Sequence, residues 1–154
     1  MIGRHRVVIS YSFAQHQGFA HYPSCDSTKL PVVVLTALNV EYMAMSRHLT
    51  HLRLTRHPSG TLFTEGRLNG SQIPVVLAVT GEGNQATAIL AERATARYAP
   101  RALLFVGVAG ALKQTVAIGD VVIATRVYAY HGGMEDDAGF ASRTRSWDAS
   151  HPGT

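Results

Sequence analysis

The chain has 154 residues, is 46% hydrophobic and 16% charged, and carries a formal net charge of +4. This length suits one domain with one core, and the composition is that of a folded protein rather than a disordered one. The basic residues are scattered and form no dense run with interleaved aromatic residues, so the positive charge does not indicate nucleic-acid binding.

Cysteine content and hydropathy exclude two further classes. Cys25 is the only cysteine, so no disulfide can form within the chain, and a reducing compartment is the default. No apolar segment approaches the ~20 residues that a membrane-spanning helix needs, and the N-terminal residues do not read as a signal peptide. We therefore expect a cytoplasmic protein with no membrane partner.

Residues 1–30 differ from the rest of the chain because they contain several histidines and aromatic residues without a clear period. Their VVISYSF stretch is compatible with a short strand, but the sequence indicates no partner for it. We expect residues 1–30 to be a disordered extension of unknown role, and the domain to occupy residues 31–154.

The periodic part of the chain begins with a strand and a helix. Val32–Leu38 is a continuous apolar run, typical of a strand that is covered on both faces. Asn39 can cap a following helix, and Glu41 stands favourably in its positive first turn. Apolar residues then recur at helical spacing and predict a helix that continues to Leu52; they are Tyr42, Met45, Leu49 and Leu52.

A hairpin and a second helix come next. Thr61–Leu68 and Gln72–Thr80 predict two strands, which the Asn-Gly dipeptide at 69–70 joins in a type I′ turn. After the small TGEG turn, Asn84–Tyr98 has the pattern of a second amphipathic helix.

Arg101–Ile123 predicts two more buried strands around a turn of small residues. The first covers Ala102–Val108, and the second is entered through Gly-Asp at 119–120, where the aspartate is typical of a structural hydrogen-bond acceptor. From His131 onward the chain is polar and is predicted to be loop.

This alternation of strands and helices predicts an α/β fold with a mostly parallel central sheet. Ligands of such sheets bind beyond the carboxyl ends of the strands. We therefore expect residues 38–41, 80–84 and 108–112 to converge on one cleft.

Three groups in this cleft are candidates for chemistry. Glu41 can orient or deprotonate a water molecule, or it can simply stabilise the start of a helix. Thr80–Asn84 offers backbone N–H groups and a hydroxyl to a polar oxygen, or forms a plain tight turn, and Glu82 would repel phosphate there. Val108, Ala109 and Gly110 present backbone against which a planar ring or a sugar can lie.

A metal site is not predicted. His48 and His51 are three residues apart on the predicted first helix, but no acidic or cysteine partner stands at ligand spacing. The spacing fits a solvated helix face instead.

The ordered set of these segments resembles the nucleoside phosphorylase and nucleosidase superfamily, which includes purine and uridine phosphorylases and methylthioadenosine/S-adenosylhomocysteine nucleosidase. The matching stretches lie between Pro31 and Trp147 and read VVVLTALNVEYMAM, LFTEGRLNGSQIPVVLAVTGEGNQATA and LLFVGVAGALKQTVAIGDVVIATRVYAYHGG. The resemblance implies a three-layer phosphorylase/hydrolase-like fold whose central sheet is truncated after the fifth or sixth strand, as the N-terminal part of such a domain.

The resemblance also implies cleavage of the N-glycosidic bond of a purine-type nucleoside, by water or by phosphate. Glu41 matches the nucleosidase glutamate that helps to hold the attacking water. The substrate would contact positions on the three strand ends, namely Ala37, Thr80, Gly81, Val108, Ala109 and Gly110. No cofactor is implied, phosphate would be a co-substrate only in a phosphorylase, and a homo-oligomer or partner domains are expected.

The family's ribose-binding glutamate and its aspartate that donates a proton to the base have no matching positions in these 154 residues. We therefore expect impaired catalysis. The alternatives are a non-catalytic nucleoside- or nucleotide-binding regulatory module and a remnant that does not fold stably alone.

Overall fold

The protein is described by a computed structural model that covers residues 6–12, 29–111, 113, 115–129, 132–136 and 139–148. These residues form eleven strands and two helices. In chain order they are β1 (Arg6–Ser12), β2 (Val32–Thr36), α1 (Asn39–Ser46), β3 (Leu49–Arg56), β4 (Leu62–Leu68), β5 (Pro74–Val79), α2 (Asn84–Tyr98), β6 (Ala102–Ala109), β7 (Val121–Ile123), β8 (Arg126–Ala129), β9 (Gly133–Asp136), β10 (Gly139–Ser142) and β11 (Arg145–Asp148).

Seven strands form the central sheet in the order β3-β4-β5-β2-β6-β1-β7. The middle strands β5, β2 and β6 are parallel, whereas β3, β4 and β5 form an antiparallel meander and β1 runs antiparallel to β6. The α/β class is therefore confirmed, and the sheet as a whole is mixed.

The core lies on both faces of the sheet, because β2 and β5 are covered on both sides. One face packs Val33, Leu35 and Phe63 against Leu90 and Ala94 of α2. The other face packs against α1, and its cluster draws on β2, β3, β5 and β6; it consists of Val34, Leu49, Val75, Leu77 and Val106 with Tyr42 and Met45 beside it. The apolar run of β2 predicts this cover on both faces, and the family resemblance implies the three-layer arrangement that results.

The prediction of one long helix from Asn39 to Leu52 is wrong, since α1 ends at Ser46 and β3 begins at Leu49. Leu49 and Leu52 happen to continue the helical spacing. The antiparallel pairing of β3 with β4 overrides that pattern. His48 and His51 therefore share no helix face, because His51 lies on β3.

The N-terminal and C-terminal segments also differ from expectation. Residues 7–12 of the VVISYSF stretch, for which the sequence indicates no partner, lie in β1, which pairs with both β6 and β7. The segment after His131, predicted to be loop, contains the β9–β10 hairpin and β11, which pairs with β8. Residues 1–5 and 13–28 lie outside the described part of the chain. The described side chains of β10 and β11 are exposed, so no apolar period marks these strands.

A polar cluster joins α2 to the antiparallel strands. The Glu65 carboxylate accepts hydrogen bonds from Arg53 Nη2 (2.6 Å), Tyr98 Oη (3.0 Å) and Thr55 Oγ1 (3.1 Å). Burial raises the pKa of the Glu65 carboxyl, but the hydrogen bonds from Arg53, Tyr98 and Thr55 together with the Arg53 charge outweigh it, so the pKa lies below its ordinary value.

Stability is expected to depend on pH through Glu65. Because its folded-state pKa is lowered, its contribution is present above the ordinary value of 4.5 and is lost as the pH falls below it. Between pH 7 and pH 3, the free energy of unfolding should fall further for the wild type than for Glu65→Gln. Urea titrations measure this, with Glu92→Gln on the exposed face of α2 as the control. Parallel pH profiles for the wild type and Glu65→Gln would contradict it.

Replacing two buried threonines by valine should change the free energy of unfolding in opposite directions. Thr36 is fully buried, and its hydroxyl has no hydrogen-bond partner among the described residues, whereas the Thr64 hydroxyl lies 2.7 Å from Tyr42 Oη. Thr36→Val should raise the free energy of unfolding, because an unpaired buried hydroxyl costs ~1–3 kcal/mol. Thr64→Val should lower it by about as much, because Tyr42 loses its partner. Chemical denaturation of both variants measures the difference, and destabilisation by Thr36→Val would show that its hydroxyl is satisfied.

Candidate functional site at the carboxyl ends of the parallel strands

The carboxyl ends of β5, β2 and β6 lie side by side, as the sequence predicts. Thr36, the last residue of β2, pairs with Val79 at the end of β5, and Leu35 pairs with Phe105 of β6. The segments that follow these strands, 37–41, 80–84 and 108–110, therefore meet at one edge of the sheet.

The Glu41 carboxylate lies at the centre of this edge and is 7% exposed. Its Oε2 accepts hydrogen bonds from the backbone N–H groups of Ala37 (3.0 Å) and Leu38 (2.9 Å). Its Oε1 accepts a hydrogen bond from the N–H group of Val108 at 2.8 Å. One side chain thus joins the end of β2 to the end of β6.

This junction lies where the two strands separate. The β2–β6 pairing ends at Leu35 and Phe105, so the backbone groups beyond it have lost their ladder partners. The Glu41 carboxylate replaces those partners, which satisfies the strand ends and holds the first turn of α1 against the sheet. Position alone left open whether Glu41 is a structural or a chemical group, and this geometry gives it a structural role.

Gly107 is required by the same junction. A β-carbon at this position would lie 2.9 Å from Glu41 Oε1, which is closer than such contacts occur. From the sequence, Gly107 falls within the predicted strand Ala102–Val108 and is not a predicted site residue. A glycine inside an otherwise apolar strand is the available signal, since it often marks close approach of another group.

Thr80 joins β5 to β2 on the other side of the site. Its N–H group donates to the Thr36 carbonyl oxygen at 2.8 Å. Its hydroxyl oxygen lies 2.7 Å from the Gly81 carbonyl oxygen and accepts a hydrogen bond from Thr87 Oγ1 at 3.3 Å. Thr87, in the first turns of α2, was missed by the sequence analysis, although its position soon after the TGEG turn is a usable signal.

The TGEG turn depends on two glycines with positive φ angles, Gly81 (73°) and Gly83 (106°). Residues with a β-carbon rarely adopt this conformation, so the turn can be this tight only with glycine. Glu82 between them is exposed. The loop therefore presents backbone groups beside the Thr80 hydroxyl.

The third side of the site is formed by the end of β6. Val108 is 40% exposed, and Gly110 has open space where a β-carbon would point. Ala109 lies between them and is half-buried. Backbone is thus accessible here, which fits the expectation that a flat group can lie against this segment.

An open groove of about 460 Å³ lies next to the site. It is bordered by Asn39, Tyr42 and Val79 near the site, and it extends from there along the antiparallel strands past Leu54 and Leu62. Across the described ranges, no group of three or more His, Cys, Asp or Glu side chains could hold a metal ion. None of the helices within those ranges is long and apolar enough to cross a membrane.

The fold and this edge define the class of the protein: a three-layer α/β protein with a polar site at the carboxyl ends of its parallel strands. The family model described as the Phosphorylase superfamily matches residues 31–152, which is most of the chain. The chain belongs to this superfamily.

Curated relatives of the chain are 5'-methylthioadenosine/S-adenosylhomocysteine nucleosidases. The protein from Mycobacterium bovis is 37% identical over 90 residues, covering 58% of this chain and 33% of the relative. The protein from Psychromonas ingrahamii is 30% identical over 98 residues, covering 64% of this chain and 41% of the relative. The aligned part of the chain therefore spans between a third and about two fifths of the length of these relatives.

A nucleosidase of the same name from Colwellia psychrerythraea, solved in complex with adenine, is a structural neighbour. It is 20% identical, with a TM-score of 0.42, and the match covers 70% of this chain and 34% of that one.

Glu41→Gln should destabilise the protein. Both oxygens of the Glu41 carboxylate accept backbone N–H groups, but an amide has only one acceptor oxygen. The NH₂ group of the glutamine would therefore face a backbone N–H group, donor against donor. We expect a loss of ~1.5–3 kcal/mol, the usual value of hydrogen bonds to a charged group. Thermal or urea unfolding measures it, with Glu92→Gln as the matched exposed control. Equal stability of the two variants would mean that the carboxylate does not hold the strand ends.

Proposed function

We propose that the chain is the N-terminal portion of a purine nucleosidase that hydrolyses the N-glycosidic bond of methylthioadenosine or a similar nucleoside. The observation that carries this proposal is the Glu41 carboxylate, fixed by three backbone N–H groups at the sheet edge within the family-matched residues. The names of the curated relatives support the choice of substrate class.

The carboxylate geometry suits the orientation of a water molecule. A carboxylate has about four acceptor positions, and three of them are used by Ala37, Leu38 and Val108. The remaining position on Oε1 can accept one proton of a water, which points a lone pair of that water towards the sugar carbon. Because the backbone fixes Glu41, this orientation requires no rearrangement during the reaction.

The transition state of this reaction is oxocarbenium-like. Water attacks the anomeric carbon while the bond from that carbon to the base nitrogen breaks. The attacking water gives one proton to solvent and the base takes one from solvent, so the products are the sugar and the neutral base. Thr80 and Gly81 would contact the sugar, with Ala37 at the end of β2. Val108, Ala109 and Gly110 would lie against the sugar and base. These assignments come from the resemblance and from the convergence of the three strand ends.

Water is proposed as the nucleophile because Glu41 and Glu82 make this edge acidic, which disfavours phosphate. No cofactor is proposed, and phosphate would be a co-substrate only if the chain were a phosphorylase. Protonation of the departing base has no matching residue in this sequence, and loss of a general acid costs ~10²–10⁴ in rate. The chain by itself is therefore expected to be a slow enzyme.

A nucleoside-binding module without turnover is the second candidate. It is favoured by the structural role of Glu41, whose carboxylate already replaces the lost ladder partners of β2 and β6. A carboxylate retained for that structural reason does not imply catalysis.

Self-association and a cytoplasmic location are further predictions. Sedimentation velocity tests self-association.

Incubation with methylthioadenosine separates the two candidates. Slow release of free adenine, unchanged by added phosphate, is expected for the nucleosidase, and liquid chromatography measures it. At a temperature where circular dichroism shows both variants to be folded, Glu41→Gln should reduce the rate at least ~10²-fold below that of the Glu92→Gln control. Ligand-induced thermal stabilisation without adenine release would support the binding module. Both candidates would be overturned if no nucleoside of a panel gave adenine release or thermal stabilisation.

A further inference from the structure

The N-terminal strand lies outside the family-matched residues but inside the central sheet. The family match begins at residue 31, whereas β1 covers Arg6–Ser12. This strand is inserted between β6 and β7 and pairs with both. The expectation that residues 1–30 are a disordered extension of unknown role does not account for the position of β1 in the sheet.

The pairing of β1 with β6 includes the part of β6 that lies at the site. β2 supports β6 only as far as Phe105. β1 continues from Leu103 to Ala109, with Arg6 opposite Ala109 and Val8 opposite Gly107. For the segment 106–109, called here the β6 terminus, β1 is thus the only strand neighbour within the described residues.

Two contacts therefore define the position of the β6 terminus. On one edge, the Glu41 carboxylate accepts the Val108 N–H group. On the other edge, β1 forms a ladder with the whole segment. Without β1 that edge would present unpaired backbone groups, and an unpaired sheet edge frays or accepts a foreign strand.

From this placement we propose that residues 6–12 are a positioning strand for the site: they hold the β6 terminus in place, so nucleoside binding depends on a segment that the family match does not include. The inference about binding rests on the proposed function. The inference about the β6 terminus rests on strand pairing alone. The occupant of the β6 edge is the chain's own N-terminal segment.

β7 depends on the same strand. Val121–Ile123 pairs in parallel with Val7–Ile9, and β1 separates β7 from β6 in the sheet. Loss of β1 would therefore release β7 as well as the β6 terminus. Ile9 takes part in both ladders: it pairs with Val106 at the centre of the β1–β6 ladder and with Ile123 at the end of the β1–β7 ladder.

Ile9→Pro in the full chain tests the proposal. Proline removes one N–H group from a strand with neighbours on both sides, which such a strand does not tolerate. Ile9→Val is the matched control, because it keeps the N–H group and a β-branched side chain. If Ile9→Pro does not fold, Ile9→Gly weakens the strand more mildly.

Amide hydrogen exchange resolved by residue is the first measurement. Successive N–H groups of a strand point to opposite edges, so alternate amides of β6 face β1 and the others face β2 or Glu41. We expect at least tenfold faster exchange at the amides that face β1. Exchange of the intervening amides and of β5 should stay unchanged, and Ile9→Val should behave as the wild type.

The second measurement is the dissociation constant for methylthioadenosine, below the melting temperature of every variant. Ile9→Pro should weaken binding at least tenfold, and Ile9→Val should not.

Two results would overturn the strand placement. One is unchanged exchange at the β6 terminus in Ile9→Pro. The other is wild-type protection of β6 that rises with protein concentration, because a second copy of the chain would then supply β1. Uniform loss of protection, or altered exchange with unchanged binding, would overturn the positioning role. Failure of the wild type to bind nucleoside would refute the proposed function, while the exchange pattern would still decide the strand placement.

Discussion

The contact on which the rest of the site depends is the hydrogen bonding of one carboxylate to two strand ends. β2 and β6 must separate so that α1 can begin beyond one of them, and separation leaves backbone N–H groups without ladder partners. Glu41 satisfies three of these groups from the first turn of α1. The helix start, the end of the sheet and the shape of the site are consequently fixed together, and Gly107 is needed because the carboxylate occupies the space of a β-carbon.

This arrangement explains why structure and chemistry are difficult to separate in the site. A carboxylate that has lost its freedom to rotate is a good support for a strand end and also a good holder for a small ligand, since neither task requires movement. The second task is the one that we propose for Glu41. Because Glu41 is buried and accepts hydrogen bonds from three backbone N–H groups, it supports the strand ends whether or not it also holds a ligand.

The sequence predicted the elements whose signals are local. A continuous apolar run identified β2, and the apolar period after the TGEG turn identified α2 with the bounds that the structure has. The Asn-Gly dipeptide identified the β4–β5 hairpin, but the type I′ turn is wrong, because only Gly70 and not Asn69 has a positive φ. It failed where pairing partners decide the outcome. β3 was read as helix because Leu49 and Leu52 continued a helical spacing, although β4 supplies a strand partner.

For the site, too, the sequence predicted the position of the residues but not their partners. The convergence of strand ends followed from the α/β order, which placed Glu41 and Thr80 at one edge. Which backbone groups Glu41 binds was not predictable, because hydrogen bonds between Glu41 and Val108 depend on where β2 and β6 separate. The role of β1 was hidden for a similar reason, since its partners lie far along the chain.

That distance has a consequence for how the molecule assembles. Arg6 and Ala109 are register partners separated by about a hundred residues, whereas β3, β4 and β5 pair with their immediate neighbours in the chain. Closing the longer loop costs more conformational entropy, and contacts of high sequence separation form slowly. We therefore expect β1 to join the sheet only after the core around β2 and β6 has formed, and β7 to follow it, so the candidate site is completed when this segment docks.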